Sequence, residues 1–241
     1  MVTDFDGMYV SESTVFRILK REGLIKSAEV VGFKAGKEYQ RKTTRPNELW
    51  ATDCAHIKVI DWGWYYLVTV MDDYSRFILA WELKSDMTAG SLIDVVQQAV
   101  DLTGMTDVPV EDRTVLLSDN GPGYISRQFN EYLGLVGIRH ILAAPFHPET
   151  NGKIERYHRT IKGEINLVPY QVPGELREAI AAFIEYYNYR RYHEGLSNVT
   201  PHNVYTGKYL EIIRKRKEAK SRTIAERKGY NRTAREEGNA R

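Results

Sequence analysis

"LWATDCAHIKVIDWGWYYLVTVMDDYSRFILAWEL", residues 49–83, decides how this chain folds. Three runs rich in β-branched and aromatic residues, 49–60, 64–73 and 75–83, follow in quick succession. Only Asp61-Trp62-Gly63 and Asp73-Tyr74-Ser75 separate them, which predicts antiparallel strands joined by tight turns. Beyond this stretch the pattern alternates. Residues 88–104 carry Leu92, Val95, Val96 and Val100 at helical spacing. "TVLLSD", residues 114–119, is a short apolar run of the sort buried on both faces of a sheet. Residues 126–137 read as helix, 138–144 as strand, 151–165 as a helix capped by Thr150 or Asn151, and 174–193 as a longer aromatic-rich helix. The order β-β-β-α-β-α-β-α implies an α/β fold. Its mixed five-stranded sheet would have helices on both faces and right-handed crossovers between the later strands.

A chain of 241 residues, 42% hydrophobic, can build one full core with smaller appendages. No apolar run approaches the roughly 18 residues of a membrane span. The start "MVTDFDGMYV" lacks a secretory pattern, and the single cysteine, Cys54, excludes an intrachain disulfide. Together these suggest a cytoplasmic protein without a membrane partner. The net charge of +2 conceals a division: about +3 over residues 1–47, +7 over 208–241 and −8 between them. An acidic body between basic ends suits acids that hold cations and ends that hold a polyanion. Residues 1–33 form a partial helix-turn-helix-like segment around a helix at 11–25, capped by Ser11 or Ser13 and stopped by Gly23. A basic linker follows at 34–47, then the body at 48–207 and a basic tail at 208–241.

Most acids of the body have plain readings. Asp61 and Asp73 suit turns, Asp86 a helix start, and Asp94, Asp101 and Glu131 polar helix faces. Three do not. Asp53 lies mid-strand in "WATDCAHI", where an acid is unfavourable without a partner. Asp119 ends a buried strand and is followed by Asn-Gly-Pro-Gly, which turns the chain away from it. Glu155 lies about one turn into the helix of 151–165. If the first and fourth strands are central neighbours, Asp53 and Asp119 converge, and the helix can lay Glu155 beside them. Carboxylates so gathered repel unless divalent cations lie between them, and oxygen donors suit magnesium or manganese. Two such ions ~3.5–4 Å apart can activate a water or hydroxyl and stabilise the leaving oxygen of a phosphodiester.

Those three acids, with thirty-five residues between Asp119 and Glu155, resemble the Asp-Asp-Glu triad of retroviral integrases and bacterial insertion-sequence transposases. The neighbouring words are similar too: "ELWATDCAHIKV", "VTVMDDYSRFILAW", "LLSDNGPGYIS", "PFHPETNGKIERYHRTIK" and "YYNYRRYHEGLSNVTPHNVY". The resemblance covers residues 47–207. It implies a ribonuclease-H-like, integrase-like catalytic domain in which Asp53, Asp119 and Glu155 bind two Mg2+ or Mn2+ ions. It also implies DNA strand cleavage and strand transfer on mobile-element ends and a target duplex, in a nucleoid-associated protein. On this reading the loop 144–151 is a mobile active-site loop, and Lys153, Arg156, Arg159 and Lys162 grip DNA phosphates. Joining two ends to one target calls for a homodimer or higher oligomer. The aromatic helix around Phe183–Tyr192 is a candidate contact. The other reading is a non-catalytic DNA-binding transposase remnant, because no convincing first helix precedes the one at 11–25. Of the histidines, His56, on the strand face opposite Asp53, His140, His147 and His193 take structural or loop roles.

Overall fold

The computed structural model describes residues 2–24, 42–143, 152–166 and 169–239. The loop 144–151, with His147, Thr150 and Asn151, lies outside the described residues, as do residues 25–41. Two units are each compact in themselves: Lys37–Thr206, and Met1–Gly36 with Gly207–Arg241. The smaller one opens with helices α1 (Val2–Phe5) and α2 (Glu12–Arg21).

The larger unit is built on β1 (Leu49–Val59), β2 (Gly63–Asp72) and β3 (Ile78–Lys84), paired antiparallel. Asp61, at φ 63, and Gly63, at φ 94, give the first hairpin its left-handed backbone. In the second turn the capping acid is Asp72, one residue earlier than the sequence suggests. It is buried and accepts from the backbone N–H groups of Ser75, at 2.8 Å, and Asn47, at 2.7 Å. Asp73 instead accepts from the Thr43 hydroxyl at 2.7 Å. Residues 42–47, within the expected linker, thus fold onto the sheet, and Asn47 also accepts from the Trp50 indole at 2.9 Å.

After the hairpins come α3 (Ala89–Thr103), β4 (Val115–Ser118), α4 (Pro122–Ile125), α5 (Arg127–Leu135), β5 (Arg139–Leu142), α6 (Gly152–Ile165), α7 (Pro173–Tyr189) and α8 (Pro201–Tyr205). The Thr88 hydroxyl and the left-handed Gly104 bound α3, and Ser126 caps α5. The sheet order is β3-β2-β1-β4-β5, with β4 parallel to both β1 and β5. This is the mixed five-stranded, ribonuclease-H-like sheet, and β1 lies at its centre.

Strand alternation divides the core into two layers. Trp50, Val68, Val70 and Leu79 pack against Leu92, Val95 and Val96 of α3 and Phe129 and Leu133 of α5. Ala51, Ala55, Ile57, Leu67 and Met71 face Ile154, Tyr157 and Ile161 of α6 and Leu176 and Ile180 of α7. The short helix α4 was not legible as a helix. It buries Tyr124, whose hydroxyl lies 3.1 Å from that of Thr52. Gly123 is required there, because a Cβ would come within 2.6 Å of Leu92 Cδ1 and 2.9 Å of the Met87 carbonyl. At the start of β3, the Asn188 side chain accepts from the Ile78 N–H at 2.9 Å and donates to its carbonyl at 3.0 Å.

In the smaller unit the basic C-terminal segment is one helix, α9 (Tyr209–Asn239). Arg216 of α9 holds Asp4 of α1 through two contacts of 2.6 Å, and this pairing lowers the Asp4 pKa. Arg222 and Arg227 donate to the carbonyls of Gly7 and Tyr9, and the Lys220 ammonium lies 4.8 Å over the Tyr9 ring. Several basic side chains of this segment are therefore tied to residues 2–9. No helix among the described residues is long and apolar enough to cross a membrane.

Candidate active site

Alternation along β1 decides where Asp53 points. Ala51, Ala55, Ile57 and Val59 all lie against α6 and α7, so Asp53 shares that face. The parallel register of β1 with β4 ends at Ala51↔Leu117. Two residues further along both strands stand Asp53 and Asp119. Asp119 is exposed at the end of β4, and its Oδ1 accepts from the Gly121 N–H at 2.9 Å. Glu155 lies half-buried in the first turn of α6, on the helix that crosses Asp53's face of the sheet.

The electrostatics agree with this convergence. The Glu155 pKa is raised by burial and then by the charge of Asp53, against the lowering effect of Arg159 and His158. The Cys54 thiol is pushed up to about 12, first by burial and then by the charges of Asp53 and Asp119. The three acids therefore share one negative field where β4 ends beside the middle of β1. They do not close round a point: among the described residues, no group of three or more His, Cys, Asp or Glu side chains is arranged to hold a metal ion. Asp53 has partners of its own. Its Oδ1 accepts from the Cys54 N–H at 2.7 Å and its Oδ2 lies 3.1 Å from His158 Nδ1.

Sequence alone does not single out His158. It is buried on α6, with Nε2 3.3 Å from the Thr69 hydroxyl of β2. With Nδ1 protonated the ring donates to Asp53, because a carboxylate oxygen accepts. The imidazole is pinned between two strands and fixes one oxygen of the carboxylate. The available signal was its place three residues after Glu155, hence on the same flank of the helix.

The four bases expected to grip together divide in two. At about 100° per residue, Arg159 and Lys162 come within about 40° of Glu155 round the helix, whereas Arg156 and Lys153 turn away. Arg159 acts on Glu155, and Lys162 acts on Cys54 beside Asp53. Lys153 reaches Asp73 instead, 2.7 Å from its carboxylate and 3.0 Å from its carbonyl. Arg156 lines a separate cavity with Arg76 and Arg191.

His56 is exposed and meets Tyr66 edge-on at 5.1 Å, away from Asp53. His140 lies 2.9 Å from the Ser118 hydroxyl and 3.0 Å from Asn130 Oδ1, and burial lowers its pKa. It braces the end of β4 one residue before Asp119. The aromatic series of α7 and its exit divides as well: Phe183 and Tyr187 are core, while Tyr186, Tyr189 and, just past the helix, Tyr192 are exposed.

Two family models, both described as the integrase core domain, match residues 43–148 and 136–201. The transposase for insertion sequence element IS904 of Lactococcus lactis is 30% identical over 162 residues, 66% of this chain and 62% of that protein. The putative transposase for IS986/IS6110 of Mycobacterium tuberculosis is 25% identical over 211 residues, 81% of this chain and 75% of the relative. This chain thus spans under two thirds of the length of the first relative. Among solved structures, the integrase catalytic core domain of HTLV-2 in complex with magnesium, in a trimeric form, is 25% identical with a TM-score of 0.54. The match covers 68% of this chain and 99% of that one. An intasome of simian T-cell lymphotropic virus, in complex with a PP2A regulatory subunit, is similar in fold. Its TM-score is 0.58 at 17% identity, over 85% of this chain and 73% of that one.

Proposed function

We propose that the chain, which two integrase core domain models match over residues 43–148 and 136–201, is a DDE-type transposase that cleaves the ends of a mobile element and joins them to target DNA. The observation that carries this reading is the parallel register of β1 and β4, which runs on towards Asp53 and Asp119 on the face that α6 crosses with Glu155. These residues are hard oxygen donors, and burial and like charge hold the Glu155 pKa up, as expected of acids whose repulsion a cation relieves. Asp53, Asp119 and Glu155 are the ligands we assign to two magnesium or manganese ions. Such ions, when bound, polarise a scissile phosphodiester and acidify an attacking water or hydroxyl.

The chain's own residues position and neutralise. His158 sets the orientation of the Asp53 carboxylate. The Gly121 N–H steadies Asp119. Arg159 and Lys162, on the flank of α6 that carries Glu155, are placed to hold the phosphates of an element end. Strand transfer needs two ends at once, so we assign the working form to a homodimer or larger assembly, with exposed Tyr186, Tyr189 and Tyr192 as a candidate contact. The test is cleavage and joining of a labelled element end by the full chain, with and without magnesium, in the parent and in Asp119→Asn. Metal-dependent nicking lost in the variant supports the assignment. Equal nicking by both removes Asp119 from the site, and the absence of any nicking favours a DNA-binding remnant.

A further inference from the structure

Beyond the carboxylates, α6 borders a cavity of about 50 Å3, several times the ~10–15 Å3 that one water needs. Arg76 enters it from the turn between β2 and β3, Arg156 from α6, and Arg191 from just past α7; Tyr157, Thr160, Tyr187, His193 and Lys153, the last already paired with Asp73, complete the wall. Arg76 adopts φ 61, a left-handed backbone that disfavours a side chain of its size. Its guanidinium lies against Gly195, where a Cβ would come within 2.5 Å of Nη2.

The arginines converge without an acid to meet them. Among the described residues, none of the three forms an ion pair. The charges of Arg76, Arg191 and Arg156 all reach the Tyr187 hydroxyl, and those of Arg191 and Arg76 reach His193. His193 Nε2 is buried with no hydrogen-bond partner among the described residues, and so is the Tyr157 hydroxyl. The Thr69 hydroxyl, near Tyr157 and already turned to His158, is outside hydrogen-bonding geometry for it. Gathered cations beside unmet polar atoms are unfavourable unless an anion joins them.

We propose that this cavity is a phosphate site, in which Arg76, Arg156 and Arg191 hold the oxygens of one phosphate group and His193 Nε2 is a fourth partner. Guanidiniums approaching from three elements suit a tetrahedral anion with several acceptor oxygens. The small volume fits the group itself rather than a larger organic ligand. The assignment does not rest on the roles given to Asp53, Asp119 and Glu155.

Titration of the full chain with sodium phosphate, at constant ionic strength in chloride, tests it. One saturable site is expected, weakened by about tenfold or more in Arg191→Gln, which removes a charge-assisted pair. Arg156 is exposed, so Arg156→Gln will fold if Arg191→Gln does not, and it should weaken phosphate severalfold. In a histidine-selective NMR spectrum, the His193 ring, one of six histidines, should shift on phosphate addition in step with the binding curve. No saturable phosphate site, or unchanged affinity in both variants, overturns the proposal, as does a His193 signal that stays still. Duplex DNA then separates the sources of the group. A duplex affinity that falls in both variants and is competed by phosphate identifies a DNA backbone phosphate. An unchanged duplex affinity, with phosphate still bound, identifies a free phosphate or a monoester.

Discussion

One helix serves two regions of opposite character. On one flank of α6, Glu155 and His158 face Asp53, whose charge, with that of Asp119, adds to burial in pushing Cys54 up to about 12. On another, Arg156 joins Arg76 and Arg191 in a basic cavity that lowers His193 to about 4, mainly through burial. Between them Ile154, Tyr157 and Ile161 anchor the helix to the sheet. The difference arises from what each sector of the helix faces: the middle of β1 and the end of β4 for one, the β2–β3 turn and the exit of α7 for the other. A run of bases counted along the sequence as a single grip therefore faces different surroundings on its two sides.

The comparison breaks first at the carboxylates. Asp53→Asn, Asp119→Asn and Glu155→Gln each keep shape and remove a charge, and strand cleavage should fall by more than about 100-fold in each, since even outer-shell partners of a metal site are worth ~10–100-fold. A single-turnover cleavage assay with folded variants checks this, and near-parental activity in any one would take that residue out of the site. His158→Ala should have the next effect, about 10–100-fold, because it frees the Asp53 carboxylate without removing it. Its signature is a raised metal requirement: extra magnesium should recover much of the loss for His158→Ala and little of it for Asp53→Asn.

The basic side gives smaller, differently signed effects. His193 has its pKa lowered from the usual 6.5 to about 4 by burial, then by Arg191 and Arg76. The unfolded chain therefore binds this proton more readily than the folded one. The contribution is complete above about pH 6.5 and is lost as pH falls towards 4. His193→Gln should flatten the decline in urea midpoint between pH 7 and pH 4.5, while the carboxylate variants should not. An equal decline in parent and His193→Gln would mean that the ring titrates as it does in water. Smallest of all is Lys153→Met. Its ammonium pairs with Asp73 but is 40% exposed, so stability should change by no more than about 1 kcal/mol in thermal unfolding. Its duplex affinity should change less than that of Arg159→Ala, because only the latter sits on the Glu155 flank.

How much of this was legible in the sequence follows from how local each signal is. The hairpins of β1, β2 and β3 are legible because alternation and turn residues lie within one stretch. The pairing of β1 with β4 is not, because parallel neighbours are joined through a whole crossover; the approach of Asp119 to Asp53 could be stated only as a condition. His158 was obscured by its surroundings, since a histidine between Ile154 and Ile161 on a buried helix face reads as core. The arginine cavity draws on a turn, a helix and a helix exit far apart in the chain, and no pattern joins them. The docking of residues 2–9 on α9 combines the ion pair of Asp4 with Arg216, the Lys220–Tyr9 contact and bonds to backbone groups that carry no sequence signature.

The central claim is that Asp53, Asp119 and Glu155 form one metal site where β4 ends beside the middle of β1, and manganese tests it most directly. Crystals of the full chain soaked in manganese should show anomalous density bonded by the Asp53 and Asp119 carboxylates, with Glu155 drawn towards it. Asp119→Asn crystals treated alike should lose that density. Saturating manganese that leaves the space between Asp53 and Asp119 empty, or that binds only elsewhere on the chain, would contradict the account.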